Sequence, residues 1–351
     1  VTSHVGKYQR IRLLAEGIIE DYLARAAGPQ GSEKTLVLQC LRSDMAEQME
    51  FPEMFLDTAM SAARLTHPHL VRVFDVGEAD GTSFLAREHI DGPSLRRVIK
   101  HLSVQGMTLP ATLCARIISQ ACEGLAYAHD LTDPKTKQPL RLIHRCVRPY
   151  NILLSRQGTA KVVDFGIDYF RARWTPEHHI PIMSKYRYMA PEEIMGVPVD
   201  RRVDVYSLGL VLYELLTTRR PFESTSDWDL LRVVVSEPLV PAEQHRPDLP
   251  DALRAILARA LAKDRDQRYP DCHAFRKELE DFIRSEGEPV TSRQVAQLVQ
   301  QVSPSDDPTV AAPAPDGPES QARPRLGRAW ILAAAVGLAF LLGGGALLWK
   351  W

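Results

Sequence analysis

The chain lacks most of what would mark a specialised surface. Its charges cancel: 43 Lys and Arg against 44 Asp and Glu leave a formal net charge of −1 at pH 7. That balance excludes the broad electropositive footprint of a nucleic-acid binder, so no nucleic-acid partner is expected. Cysteine is scarce. Cys40, Cys114, Cys122, Cys146 and Cys272 form no C-x-x-C pair. This argues against a disulfide framework or a zinc site and predicts free thiols in a reducing compartment. The opening residues, VTSHVGKYQRIRLL, have no apolar run behind a basic start, so no secretory signal is read there.

A long uncharged run occurs at the far end. Residues 330–349, WILAAAVGLAFLLGGGALLW, contain no charge. At about 1.5 Å per residue such a helix reaches roughly 30 Å, the depth of a bilayer core. Trp330 and Trp349 stand at its two ends, where indole rings favour the membrane interface. Arg323, Arg325 and Arg328 precede the run and Lys350 follows it, which by the positive-inside rule puts the bulk of the chain in the cytoplasm. The expectation is one transmembrane helix in an inner or plasma membrane. Residues 303–329 carry six prolines from Pro304 to Pro324 and read as an extended, disordered linker. Within 284–302, TSRQVAQLVQQV predicts a juxtamembrane helix.

The remainder splits by periodicity. From residue 8 to about 100, short apolar runs such as YQRIRLL, KTLVLQCL, LVRVFDVG and TSFLAREHI alternate with Gly and Asp. They predict strands of a small antiparallel sheet, with DGTS as a turn and FPEMFLDTAMSAARL as a helix. Beyond residue 110 helices dominate. Leu113, Ile117, Ala121 and Leu125 fall on one stripe, and VDVYSLGLVLYELL is apolar nearly all round, the pattern of a helix buried on every side.

Three motifs follow in order: HRCVRPYN at 144–151, DFG at 164–166 and APE at 190–192. Together with a sheet-rich part before a helical part, they resemble the bacterial Hanks-type Ser/Thr protein kinases over residues 8–283. The resemblance implies an α+β, two-lobed kinase-like fold. It also implies roles. Asp164 and Asn151 would be magnesium ligands, since that ion takes oxygen donors. Glu192 would pair with Arg268, Asp204 would prop the catalytic-loop backbone, and His144 and Phe165 would join an apolar stack between the lobes. Arg145 would face a phosphate on the activation segment, with Thr175 and Ser184 as acceptors. The adjacent His178 and His179 read as a solvated loop and not as a metal site.

The residues that would do chemistry depart from the pattern. Cys146 occupies the position of the aspartate that accepts the substrate's proton, and a thiol cannot orient a hydroxyl as a carboxylate does. Arg148 replaces the lysine that follows. Gln39 stands at the phosphate-binding lysine and Thr58 at its glutamate partner. The glycine-rich loop keeps Gly17 but has Ala15, Ile18 and Ile19 around it. Asp21 falls where a valine would cover adenine, and Arg87 at the back of the adenine pocket, from which it could reach Asp164 as an internal plug or snorkel to solvent. The expectation is a pseudokinase, tethered to the membrane, that binds a protein partner such as an active kinase and takes no cofactor or only weak ATP and magnesium. Two alternatives stay open: a divergent Ser/Thr kinase, and an ATP-binding switch without transfer.

Overall fold

Asp80 and Gly81 lie between two apolar strands, and both adopt positive φ, 52° and 71°. That is the two-residue turn whose twist suits a hairpin. It joins β5 (Val73–Ala79) to β6 (Thr82–Glu88). A computed structural model of the chain describes residues 4–27, 33–46, 50–174, 186–223, 226–287 and 289–303. Ahead of the hairpin come β1 (His4–Val5), β2 (Tyr8–Ala15), β3 (Ile19–Ala27) and β4 (Glu33–Leu41). The six strands form one antiparallel sheet in the order β1-β2-β3-β4-β6-β5. After β4 come a short turn of helix, α1 (Ser43–Ala46), and then α2 (Phe51–Ala63), which buries Phe51, Phe55 and Ala59 against the sheet's edge.

The helical part opens with α3 (Leu95–Gln105). Ser94 caps it by accepting from the Arg97 N–H, and Gly106 closes it at φ 63°. Next is α4 (Ala111–His129), on which Leu113, Ile117, Ala121 and Leu125 are all buried as their spacing predicts. A small hairpin, β7 (Ile152–Leu154) with β8 (Ala160–Val162), precedes α5 (Ile167–Trp174). Then follow α6 (Pro191–Ile194), α7 (Arg202–Thr217), α8 (Asp227–Ser236), α9 (Ala242–His245), α10 (Asp251–Ala260) and α11 (Cys272–Ser285). Helix α7 is buried from Val203 to Thr217, as an all-apolar helix must be. All five cysteines are free, and only Cys146 is not fully buried.

The run at 292–302 is helical, α12 (Ser292–Val302), and sits on the helical lobe. Val295, Leu298, Val299 and Val302 join the main core, which puts a spacing of i, i+3, i+4, i+7 on one buried face. The docking is tight at one point. Gly158 has φ +81°, and a Cβ added there would stand 1.9 Å from the Ser292 carbonyl oxygen. The expected run at 330–349 lies outside the described residues. Among those described, no helix is long and apolar enough to cross a membrane.

Gly158→Ala should therefore lift α12 from the lobe and destabilise the chain by roughly 1–3 kcal/mol, the scale of a forced backbone conformation. Thermal unfolding of the full chain checks this; an unchanged melting temperature would contradict the docking.

Candidate active site

The strand β4 alternates inward and outward, and this pleat turns Gln39 inward, where it is fully buried. Its amide Nε2 donates to Asp164 Oδ1 at 3.0 Å and lies 3.3 and 3.4 Å from the two oxygens of Asp21. The amide thus supplies two N–H donors where an ammonium would supply three, and no charge. The charge comes from elsewhere. Arg87 on β6 is 2% exposed, and its Nε stands 3.3 Å from Asp164 Oδ1. The N–H does not point along that line, so the contact is Coulombic more than hydrogen-bonded. Of the two courses open to Arg87, snorkelling to solvent is not the one taken.

Helix α5 completes the arrangement. Directly after the DFG turn, Ile167 and Phe170 face the sheet, and they share a core with Ile18 and Ile19 of the glycine-rich loop and with Phe51 and Phe55 of α2. Phe170 meets Phe51 and Phe55 edge-on, each at 6.1 Å between ring centroids. Burying one such ring is worth about 1.5–3 kcal/mol. On the next position of the helix, Arg171 makes a very short ion pair with Asp21 and lies 3.5 Å from Asp168. Asp168 also receives Arg148 and the Asn151 amide, both at 2.7 Å. The Asn151 oxygen accepts from Arg148 Nε at 3.1 Å.

Three guanidiniums, Arg87, Arg148 and Arg171, therefore meet three carboxylates, Asp21, Asp164 and Asp168, in a nearly dry cleft. Burial pushes the Asp21 carboxyl up, while the Arg171 charge opposes that rise. Asp168 goes the other way: burial would raise it, but Arg148 and then Arg171 outweigh that and hold it down at about 2. The cavity beside Gln39, Arg87 and Asp164, which Ala62 and Leu65 also line, holds about 10 Å³, the lower limit for one water. A cavity of about 430 Å³ lies instead between α2 and α5, lined by Thr58, Arg145 and Tyr169 among others.

Magnesium needs free oxygen donors. Asp164 Oδ1 is held by Gln39 and faces Arg87, its Oδ2 accepts no hydrogen bond but lies 4.0 Å from Arg171 Nη1, and the Asn151 oxygen is held by Arg148. As arranged, these residues do not fit a metal–nucleotide complex. Gly17 has no positive φ, and an added Cβ would make only an ordinary 3.5 Å contact with Ile19 O, so nothing in the loop's geometry demands a glycine there. Thr58 faces the DFG turn, its methyl group 3.0 Å from where a Cβ on Gly166 would lie, and its hydroxyl donates back to Met54 O. Cys146 is half-buried beside His144, whose Nδ1 accepts the Cys146 N–H at 3.3 Å.

The framework residues stand apart from this rearrangement. Asp204 accepts from the His144 and Arg145 backbone N–H groups, each at 2.9 Å, and from His129 Nε2 at 2.8 Å. His144 and Phe165 pack edge to face at 5.1 Å. Arg268 donates to both oxygens of Glu192, at 2.7 and 2.8 Å. Arg145 turns toward Tyr169 of α5, 3.4 Å from its hydroxyl. Thr175, Ser184, His178 and His179 lie outside the described residues. Sequence reasoning missed Asp168 and Arg171. The signal was present as apolar Ile167 and Phe170 three apart with Asp168 and Arg171 three apart, one helical turn that is too short to stand out.

Burial would lower the His129 imidazole, yet Asp204 and Cys272 beside it raise it to about 10. A raised folded-state value stabilises fully below the unfolded value near 6.5 and is lost as pH rises through about 10. The melting temperature of the wild type should exceed that of His129→Gln at pH 6.5, and the gap should narrow steadily toward pH 10. A constant gap would contradict a charged His129.

The comparisons with known proteins agree with this frame. The protein kinase domain family matches residues 29–282. The chain is 37% identical over 279 residues to the tyrosine-protein kinase MasK of Myxococcus xanthus, covering 79% of this chain and 43% of that protein. It is 30% identical over 265 residues to the serine/threonine-protein kinase PrkC of Bacillus subtilis, covering 75% and 38%. The chain thus spans less than half the length of either relative. The crystal structure of the Mycobacterium tuberculosis PknI kinase domain superposes with a TM-score of 0.58 at 27% identity, over 80% of this chain and 98% of that one.

Proposed function

The chain belongs to the protein kinase family, and we propose that it is a catalytically impaired member that acts by binding a protein. The observation that carries this reading is the charge-matched set of Arg87, Arg148, Arg171, Asp21, Asp164 and Asp168 filling the nucleotide cleft. Admitting a metal–nucleotide complex means separating at least two of these pairs. Breaking a buried pair costs roughly 3–5 kcal/mol, whereas a micromolar ligand supplies only about 8 kcal/mol in all. The two sums are nearly equal, so little remains to hold a nucleotide. Cys146 adds a separate loss, since a missing general base costs on the order of 10²- to 10⁴-fold in rate.

The partner is an active kinase or another signalling protein at the same membrane. Residues 330–349 would hold the kinase-like part at the cytoplasmic face, where tethering raises effective concentration without any new contact. A second reading, a nucleotide-gated switch, has one observation in its favour: Asp164 Oδ2 and Gln39 Oε1 are buried acceptors without a hydrogen-bond partner. A divergent kinase is the third, and the activities named for the relatives favour it.

Thermal unfolding of the full chain with millimolar ATP and magnesium, paired with transfer of labelled phosphate to a generic protein substrate, separates the three. A filled site at a hundredfold excess stabilises by about 2.7 kcal/mol. The proposal expects no such shift and no transfer. A magnesium-dependent shift alone would favour the switch; transfer would establish the kinase.

A further inference from the structure

The cleft shows how this fold buries arginines: each guanidinium meets a carboxylate. Arg187 does not follow that rule. It is only 4% exposed, and its Nη1 is buried without a hydrogen-bond partner. No described carboxylate lies within ion-pair distance of it. Arg10, Arg87, Arg171, Arg254 and Arg276 also leave one buried nitrogen unsatisfied, but each holds a carboxylate or a sulfur.

The surroundings make the burial of Arg187 worse. Burial disfavours its charge most, and the like charge of Arg220 disfavours it further. Two carboxylates lie near enough to help, Glu214 and Glu223. Glu214 is already committed. Its Oε1 takes Arg96 Nη1 at 3.1 Å, and its Oε2 takes the Tyr188 hydroxyl in a very short bond. Glu223 is exposed. Arg187 thus has near it one engaged buried carboxylate and one solvated one. Nor can the backbone swing away to relieve this, because Ser207 of α7 donates to the Tyr188 carbonyl at 2.7 Å.

A buried, unpaired guanidinium is costly unless a partner arrives. We propose that Arg187, with Arg220 beside it, is an oxyanion site that receives a phosphorylated or carboxylate side chain of a bound protein. A planar guanidinium fork suits either anion, and phosphate takes more hydrogen bonds. The site stands on its own geometry and rests on the protein-binding reading only for the source of the anion.

The test uses the full chain, melted with increasing inorganic phosphate, O-phosphoserine or acetate, each against chloride at equal ionic strength. The wild type should show a saturable rise with phosphate and phosphoserine. A rise with acetate as well would assign the site to carboxylates too. Arg187→Gln should abolish the rise and, in anion-free buffer, melt no lower than the wild type, since it removes an unpaired buried charge. Arg220→Gln should reduce the rise, and it reports on the site if Arg187→Gln does not fold. No saturable rise, or an equal rise in both variants, overturns the site. Phosphate transfer from ATP would sink the impaired-kinase reading and leave this site standing. A protein partner that binds Arg187→Gln as well as the wild type would sink the peptide source alone.

Discussion

Charge neutrality inside a nearly dry cleft is the constraint on which the rest of the site depends. Moving an ion from water into a protein interior costs several kcal/mol even after relaxation. Arg87, Asp21 and Asp164 can be buried only because each faces an opposite charge. The matching joins parts of the chain that are far apart in sequence. Asp21 lies on β3, Arg87 on β6, Arg148 in the catalytic loop and Arg171 on α5. Removing any one of them leaves the buried set one charge out of balance, so its members are coupled.

Because α5 supplies both Arg171 and Phe170, closing the cleft is as much a matter of packing as of charge. The same turn of helix that places Arg171 on Asp21 places Phe170 against Ile18, Ile19, Phe51 and Phe55. The glycine-rich loop, whose family role is to approach phosphate, is here an apolar lid on α5. Its replacement of glycine by isoleucine is then a gain in buried area and not only a lost function. The framework beneath is separate. His129, Asp204, Glu192 and Arg268 hold the helical lobe through contacts that do not touch the cleft charges.

Much of this was legible in the sequence where a local rule acts alone. Asp80-Gly81 fixes a turn by backbone sterics, and the stripe on α4 and the all-apolar α7 follow from helical period. Cys146, Gln39 and Asp21 could be recognised as departures because fixed motifs flank them. Their consequences were less legible. Asp21 looked unfavourable against an adenine ring, and nothing local says that Arg171, 150 residues away, would neutralise it. Arg87 left two courses open, since choosing between them needs the position of Asp164. The two-residue β1 is too short to carry a period. The docking of α12 depends on Gly158, whose close approach to Ser292 appears only in three dimensions.

The most direct test of the closed cleft is amide hydrogen exchange along Ile167–Trp174 in the full chain at neutral pH. Local opening free energies run from near zero in frayed segments to the global value in the core. If Arg171–Asp21 and the Phe170 packing close the cleft, the α5 amides should exchange almost as slowly as those of α4, and Asp21→Asn should release them while α4 stays protected. Exchange of α5 at the rate of an unstructured loop in the wild type would contradict the account.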